Sequence, residues 1–133
     1  AGGAARAIAV ALCESAVRRL TVVNRSIEKA DVLVELLEQK IGFNNAKAVN
    51  FSEVYFGEAD MIINSTSVGM KADDPLPLPL NYVRADTVIA DIIMTPVKTK
   101  WLIEAENAGL KTHYGQHMLD YQVNLIGKFI GAL

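Results

Sequence analysis

Ala1-Gly2-Gly3-Ala4-Ala5-Arg6-Ala7 opens the chain, and its reading decides the fold. A dinucleotide-binding turn has the form G-x-G-x-x-(G/A). The first glycine turns the chain tightly, the second lets a pyrophosphate approach the backbone, and a small third residue lets helix and strand pack closely. Gly2 fits the second position and Ala5 the third, so the first glycine and its strand would precede Ala1. Ala4 to Leu12 is alanine-rich with Ile8, Val10 and Leu12, which predicts a helix whose first N–H groups suit a phosphate. A glycine loop that merely caps a helix fits the same residues.

The next strand sharpens the reading. Leu20-Thr21-Val22-Val23 is β-branched and apolar, as expected of a strand buried on both faces in a parallel sheet, and it ends at Asn24-Arg25-Ser26. In NAD-specific domains this strand ends in Asp or Glu, which accepts hydrogen bonds from the ribose hydroxyls. Here Asn24 and Arg25 stand instead, with Lys29 one helical turn further on. A guanidinium binds a 2'-phosphate through paired charge-assisted hydrogen bonds, whereas an acid repels it. The expected cofactor is therefore NADP; a solvated Arg and Lys at a helix start is the alternative.

Strand and helix patterns then alternate. Ile27 to Ile41 predicts an amphipathic helix ended by Gly42, Ala46 to Phe51 a short strand, Ser52 to Phe56 a helical turn, and Asp60 to Asn64 a buried strand. Pro75, Pro77 and Pro79 hold Lys71 to Asn81 as an extended loop. Thr87 to Ile93 reads as a strand and Thr99 to Ala108 as a helix stopped by Gly109. Lys111 to His113 reads as a last strand, and His117 to Leu133 as a closing helix. The fold class is α/β: a Rossmann-like doubly wound parallel sheet in three α/β/α layers, with its first strand missing from the chain.

Composition agrees. At 133 residues the chain is about one domain, and with 51% hydrophobic residues it can bury a core. A net charge of -2 argues against nucleic acid or a membrane surface as partner. One cysteine, Cys13, cannot form an internal disulfide, and a cytoplasmic location is expected. His113 and His117 lack the acidic or cysteine partners of a metal site, so no metal is expected. Trp101 reads as a core anchor.

In parallel α/β sheets ligands bind beyond the carboxyl ends of the strands. Three segments there carry chemistry: the small, hydroxyl-rich Asn64-Ser65-Thr66-Ser67-Val68-Gly69-Met70, the run Ile92-Ile93-Met94-Thr95-Pro96, and Tyr114-Gly115-Gln116-His117. Each alone also reads as an ordinary strand-to-helix turn.

Taken in order, AGGAARA, NRS, IINSTSVGM, the D-x-x-x-x-P-x-x-T run from Asp91 to Thr99, and GQHMLDYQ resemble the motifs of the NADP-binding domain of shikimate and quinate/shikimate dehydrogenases. The resemblance covers essentially the whole chain. It implies an oxidoreductase of the shikimate pathway, in aromatic amino acid biosynthesis, that reversibly reduces 3-dehydroshikimate with NADPH. Residues 1–133 would be the C-terminal half of a two-domain enzyme whose N-terminal substrate domain is absent; a homodimer is compatible with it. By motif, Gly2, Gly3 and Ala4 would line the pyrophosphate, and Asn24, Arg25, Ser26 and Lys29 the adenosine 2'-phosphate. Asn64, Thr66 and Ser67 would lie along the cofactor cleft, Ile92 and Gly115 near the nicotinamide, and Gln122 would reach the substrate.

Two departures from the family pattern matter. Its catalytic Lys and Asp lie in the substrate domain, so no catalytic residue is expected in this chain and it alone should not catalyse. Where many members carry a tyrosine that helps hold the substrate carboxylate, this sequence has Met94, which cannot donate a hydrogen bond. That leaves open quinate or another shikimate-like substrate. A non-catalytic nucleotide-binding domain is the reading from a different class.

Overall fold

The computed structural model describes residues 2–117, and the chain divides into two compact units, Ala1–Tyr55 and Phe56–Leu133. The first holds helix α1 (Gly3–Glu14), strand β1 (Leu20–Val23), helix α2 (Ile27–Leu36) continuing into a π-helical turn (Leu37–Ile41), and strand β2 (Ala46–Val49). β1 and β2 pair in parallel, Leu20 opposite Ala46 through Val23 opposite Val49. Parallel neighbours need a crossover, which α2 supplies.

The helix expected over 27–41 is continuous but widens in its last turn. The Phe43 N–H donates to the Leu37 carbonyl, and Gly42 ends the run at φ 76°. A left-handed residue there is where glycine lacks the Cβ penalty. Ala9 of α1 and Leu33 and Leu37 after it form the buried cluster, onto which Leu20 and Val22 pack. Both helices thus cover one face of β1. On the other face Thr21 is exposed while Val23 is half-buried, so the expected burial on both faces is only partial. The helical turn expected at Ser52 to Phe56 is instead a reverse turn closed by the Glu53 N–H on the Asn50 carbonyl. Tyr55 is exposed there, so no apolar face rewards a longer helix.

The second unit holds β3 (Met61–Asn64), β4 (Val88–Asp91), helix α3 (Lys100–Asn107) and β5 (Lys111–His113), in a parallel sheet ordered β3-β4-β5. β4 is central and deeply buried. Its Ile89 packs with Leu78, Trp101, Leu102, Ala105 and Leu110 in one core. The segment expected to be extended from Lys71 to Asn81 begins instead with a turn closed by the Asp74 N–H on the Lys71 carbonyl and then runs on as an irregular loop, in which Leu76, Leu78 and Leu80, alternating with the prolines, all reach this core. Trp101 Nε1 donates to the Leu78 carbonyl at 2.9 Å and pins the segment. Thr99 caps α3, its hydroxyl accepting from the Leu102 N–H, and Gly109 follows the helix at φ 80°. Both sheets are wholly parallel, the α/β architecture expected from the alternation of patterns. Of the closing helix, only a helical turn at residues 115–117 falls among the described residues.

Candidate functional site

In the first unit the predicted residues gather at the starts of two helices. α1 begins at Gly3 with Gly2 as its extended N-cap; no side chain caps it and no acidic residue lies in its first turn. The first internal bond is Arg6 N–H to the Gly2 carbonyl, so the amides of Gly3, Ala4 and Ala5 have no acceptor within the helix. A Cβ built on Gly2 or Gly3 would meet nothing within 4 Å. Nothing would therefore bar an approach to the backbone at Gly2 and Gly3, and the helix dipole favours an anion at this end.

The turn after β1 is more committed. Asn24 Nδ2 donates to the Ser26 carbonyl at 2.8 Å, which shapes the turn into α2. The Ser26 hydroxyl donates to Glu28 at 2.9 Å. The Glu28 backbone N–H and that hydroxyl hold the Glu28 carboxyl below its ordinary range. Arg25 and Lys29 are exposed and enter no ion pair among the described residues. Two cations are thus available, with one carboxylate between them in sequence occupying the hydroxyl of Ser26.

In the second unit the ends of β3 and β4 build a self-contained loop. Asn64 and Asp91 are opposite each other in the parallel register, 5% and 0% exposed. Asn64 Nδ2 donates to Asp91 at 3.2 Å and to the Val68 carbonyl at 3.0 Å, while its Oδ1 accepts from the Thr66 N–H and hydroxyl. The Thr66 hydroxyl oxygen accepts in turn from the Val68 N–H. Asp91 also accepts from the Ile93 N–H and the Thr99 hydroxyl. Burial pushes the Asp91 carboxyl above its ordinary range, and these hydrogen bonds oppose that rise. On the far side of the loop, Asp74 accepts from the amides of Gly69 and Lys71.

Over this loop lies an open cavity of about 440 Å³ lined by Ser65, Thr66, Ser67, Met70 and residues 92–95. Three of the predicted residues, Thr66, Ser67 and Ile92, line it. Asn64 does not: its amide is fully engaged within the loop, which it shapes from below. Gly115 is brought to the same strand ends. A Cβ on it would lie 2.5 Å from the carbonyl oxygens of both Ile92 and Ile93, so only glycine lets the turn after β5 approach the backbone after β4. The residue before it is held firmly. Glu106 accepts from Lys98, Thr112 and the Tyr114 hydroxyl, and these donors, Lys98 foremost, bring its carboxyl down to about 2.

Ser65, Met70, Ile93, Met94 and Thr95, all within two of the segments that carry chemistry in the sequence, line the cavity as well. Asp91 and Thr99 hold the loop. Two signals mark them in the sequence: the D-x-x-x-x-P-x-x-T run that starts at Asp91 and ends at Thr99, and the acid closing the otherwise apolar strand Val88-Ile89-Ala90-Asp91. Gln122 lies outside the described residues. Among the described residues no group of three or more His, Cys, Asp or Glu could hold a metal ion, and no helix is long and apolar enough to cross a membrane.

Residues 1–72 match the family described as shikimate / quinate 5-dehydrogenase. The chain is 38% identical over 122 residues to a shikimate dehydrogenase (NADP(+)) of Afipia carboxidovorans, covering 92% of this chain and 43% of that protein. Among solved structures it resembles the shikimate 5-dehydrogenase of Thermus thermophilus in complex with NADP(H) and shikimate. There the TM-score is 0.80 and the identity 31%, over 99% of this chain and 47% of that one. It also resembles a quinate dehydrogenase from Corynebacterium glutamicum in complex with NAD, with TM-score 0.83 and 26% identity, over 90% of this chain and 43% of that one. The chain spans less than half the length of each of these proteins.

Proposed function

The chain belongs to the shikimate / quinate 5-dehydrogenase family, and from that premise we propose that it is the NADP-binding domain of a shikimate-type dehydrogenase. One observation carries the reading: after β1, where an NAD-binding domain places an acid, Arg25 and Lys29 stand exposed and free of ion pairs among the described residues. A 2'-phosphate is the anion that distinguishes NADP, and a guanidinium with a nearby ammonium suits it.

When bound, NADPH would supply hydride chemistry at its nicotinamide C4 for the reversible reduction of 3-dehydroshikimate, which also requires one proton at the carbonyl oxygen. The residues of this chain bind and orient. The free amides at the start of α1 and the bare backbone at Gly2 and Gly3 receive the pyrophosphate, with Ala4 beside them. Asn24 holds the turn that presents Arg25, and Ser26 turns to the phosphate when it releases Glu28. In the second unit Thr66 and Ser67 offer a hydroxyl-rich surface to the nicotinamide riboside, with Ile92 and Gly115 at its ring. Gln122 is assigned to the substrate by motif alone. The proton that joins the carbonyl oxygen comes, on this reading, from a Lys and Asp of a preceding substrate domain. This chain by itself then binds nucleotide without turnover, and the working enzyme is a cytoplasmic two-domain oxidoreductase.

Met94 supports a second reading of the substrate. It lines the cavity and is 43% exposed, and its thioether cannot donate to a carboxylate. Quinate, or a related ring with different substituents, then competes with shikimate. Assay of the full-length protein with shikimate and with quinate, each under NADP and NAD, decides. NADP-dependent oxidation of shikimate is expected, and oxidation of quinate alone selects the second reading. Nucleotide binding without oxidation of either would make this a non-catalytic nucleotide-binding protein.

A further inference from the structure

We infer that Asp91 is a positioning residue: its carboxylate decides which way round the Asn64 amide lies, and through it the shape of the 64–70 loop that lines the cavity. The ground is one directed chain of hydrogen bonds. An ionised carboxylate only accepts, so the Asn64 group facing Asp91 must be the NH2. Asn64 Oδ1 is thereby turned to Thr66, where it takes both the N–H and the hydroxyl hydrogen at 3.1 and 2.6 Å. With its hydrogen committed, the Thr66 oxygen offers a lone pair to the Val68 N–H at 3.1 Å. The second hydrogen of the Asn64 NH2 closes the ring on the Val68 carbonyl. Reversing the amide would set donor against donor at Thr66 and leave two oxygens facing each other at both Asp91 and Val68.

Asp91 is itself held so that it cannot turn away, by the Ile93 N–H on one oxygen and the Thr99 hydroxyl on the other. It is 0% exposed and enters no ion pair among the described residues. A buried carboxylate without a cation is costly, and a purely mechanical link between β4 and α3 needs no charge. A carboxylate accepts at both oxygens, so it fixes the direction of every bond made to it, on the Asn64 side and the Thr99 side alike. An amide at 91 could present its oxygen to one side only, facing its NH2 either to the NH2 of Asn64 or to the Thr99 hydroxyl, whose hydrogen would then lose the acceptor it has in Asp91.

The functional weight of this inference rests on reading the cavity as the nicotinamide end of an NADP site. The test is Asp91→Asn in the full-length protein, read by amide hydrogen exchange and by NADP titration. Exchange at Thr66 and Val68 should quicken by about tenfold or more while Ile89 and Ala90, mid-strand in β4, change by less than about twofold. NADP affinity should fall by about tenfold with it. Unchanged exchange in the loop, or equal quickening along β4, overturns the inference. Faster loop exchange with NADP affinity intact upholds Asp91 and instead sinks the cofactor reading of the cavity. Should the variant not fold, Thr66→Val carries the test. The side-chain NH2 of Asn64 should stay protected because Asp91 still holds it, and loss of that protection would mean that the loop, not Asp91, orients the amide.

Discussion

The turn after β1 and the loop after β3 both follow the carboxyl end of a parallel strand, yet they are built in opposite ways. Around Arg25 and Lys29 the cations are exposed and without an ion pair among the described residues, and the side-chain bond from Asn24 to the Ser26 carbonyl shapes the turn. Around Asn64 and Asp91 nearly every donor and acceptor is engaged within the protein before any ligand arrives. On the proposed function, the difference separates two ways of holding a nucleotide. Exposed charge chooses the ligand and contributes little to the fold, since surface charges are screened and solvated. A buried, satisfied network presents a fixed surface and is inseparable from the fold.

The glycines give the widest separation. Gly115→Ala forces a Cβ against two backbone carbonyls that cannot rotate away, and should cost about 3 kcal/mol of stability in denaturant unfolding of the full-length protein. Gly2→Ala places its Cβ in open space and should cost about 1 kcal/mol or less, while weakening NADP binding where the pyrophosphate must approach. Equal stability losses would erase the distinction between the two regions.

Thr99→Val comes next. It removes both the cap on Leu102 and a donor to buried Asp91, so a loss of about 2 to 3 kcal/mol is expected, by thermal unfolding. A loss below about 0.5 kcal/mol, the range of ordinary surface changes, would show that the network is not integral to the fold. At the smallest end, Glu28→Gln takes a negative charge from beside the two cations and loosens the claim on the Ser26 hydroxyl. NADP affinity should rise by about two- to threefold at low salt, with the gain fading as ionic strength increases. Weaker NADP binding in that variant would argue that Glu28 helps to present Ser26.

Much of this architecture is legible in the chain because it is local. Leu20 to Val23 and Lys111 to His113 fall where their patterns place them, and Gly42 and Gly109 end helices as a residue free to take positive φ does. Burial is less legible, because it depends on what covers each face: Thr21 lies in an apolar run yet is exposed. The site shows the same divide. Arg25 and Lys29 can be found from their distance beyond the glycines, since the role proposed for them rests on charge at a strand end. The work of Asn64 cannot, because its partner Asp91 is 27 residues away and only the parallel register sets them side by side. Gly115 reads as a turn residue, but its reason is the backbone of Ile92 and Ile93 passing beneath it. The phosphate role of Ser26 is an expectation from the family motif alone, whereas its engagement with Glu28 is a matter of side-chain conformation.

The central claim is that the exposed basic pair after β1 selects NADP. Its most direct test is calorimetric titration of the full-length protein and its Arg25→Ala variant with NADP and with NAD at one ionic strength. The account predicts that the parent binds NADP with micromolar affinity and NAD at least about tenfold more weakly, as one charge-assisted contact would produce. Arg25→Ala should lose most of that difference by weakening NADP alone. Equal affinities for the two nucleotides in the parent, or a variant that weakens both alike, would contradict it.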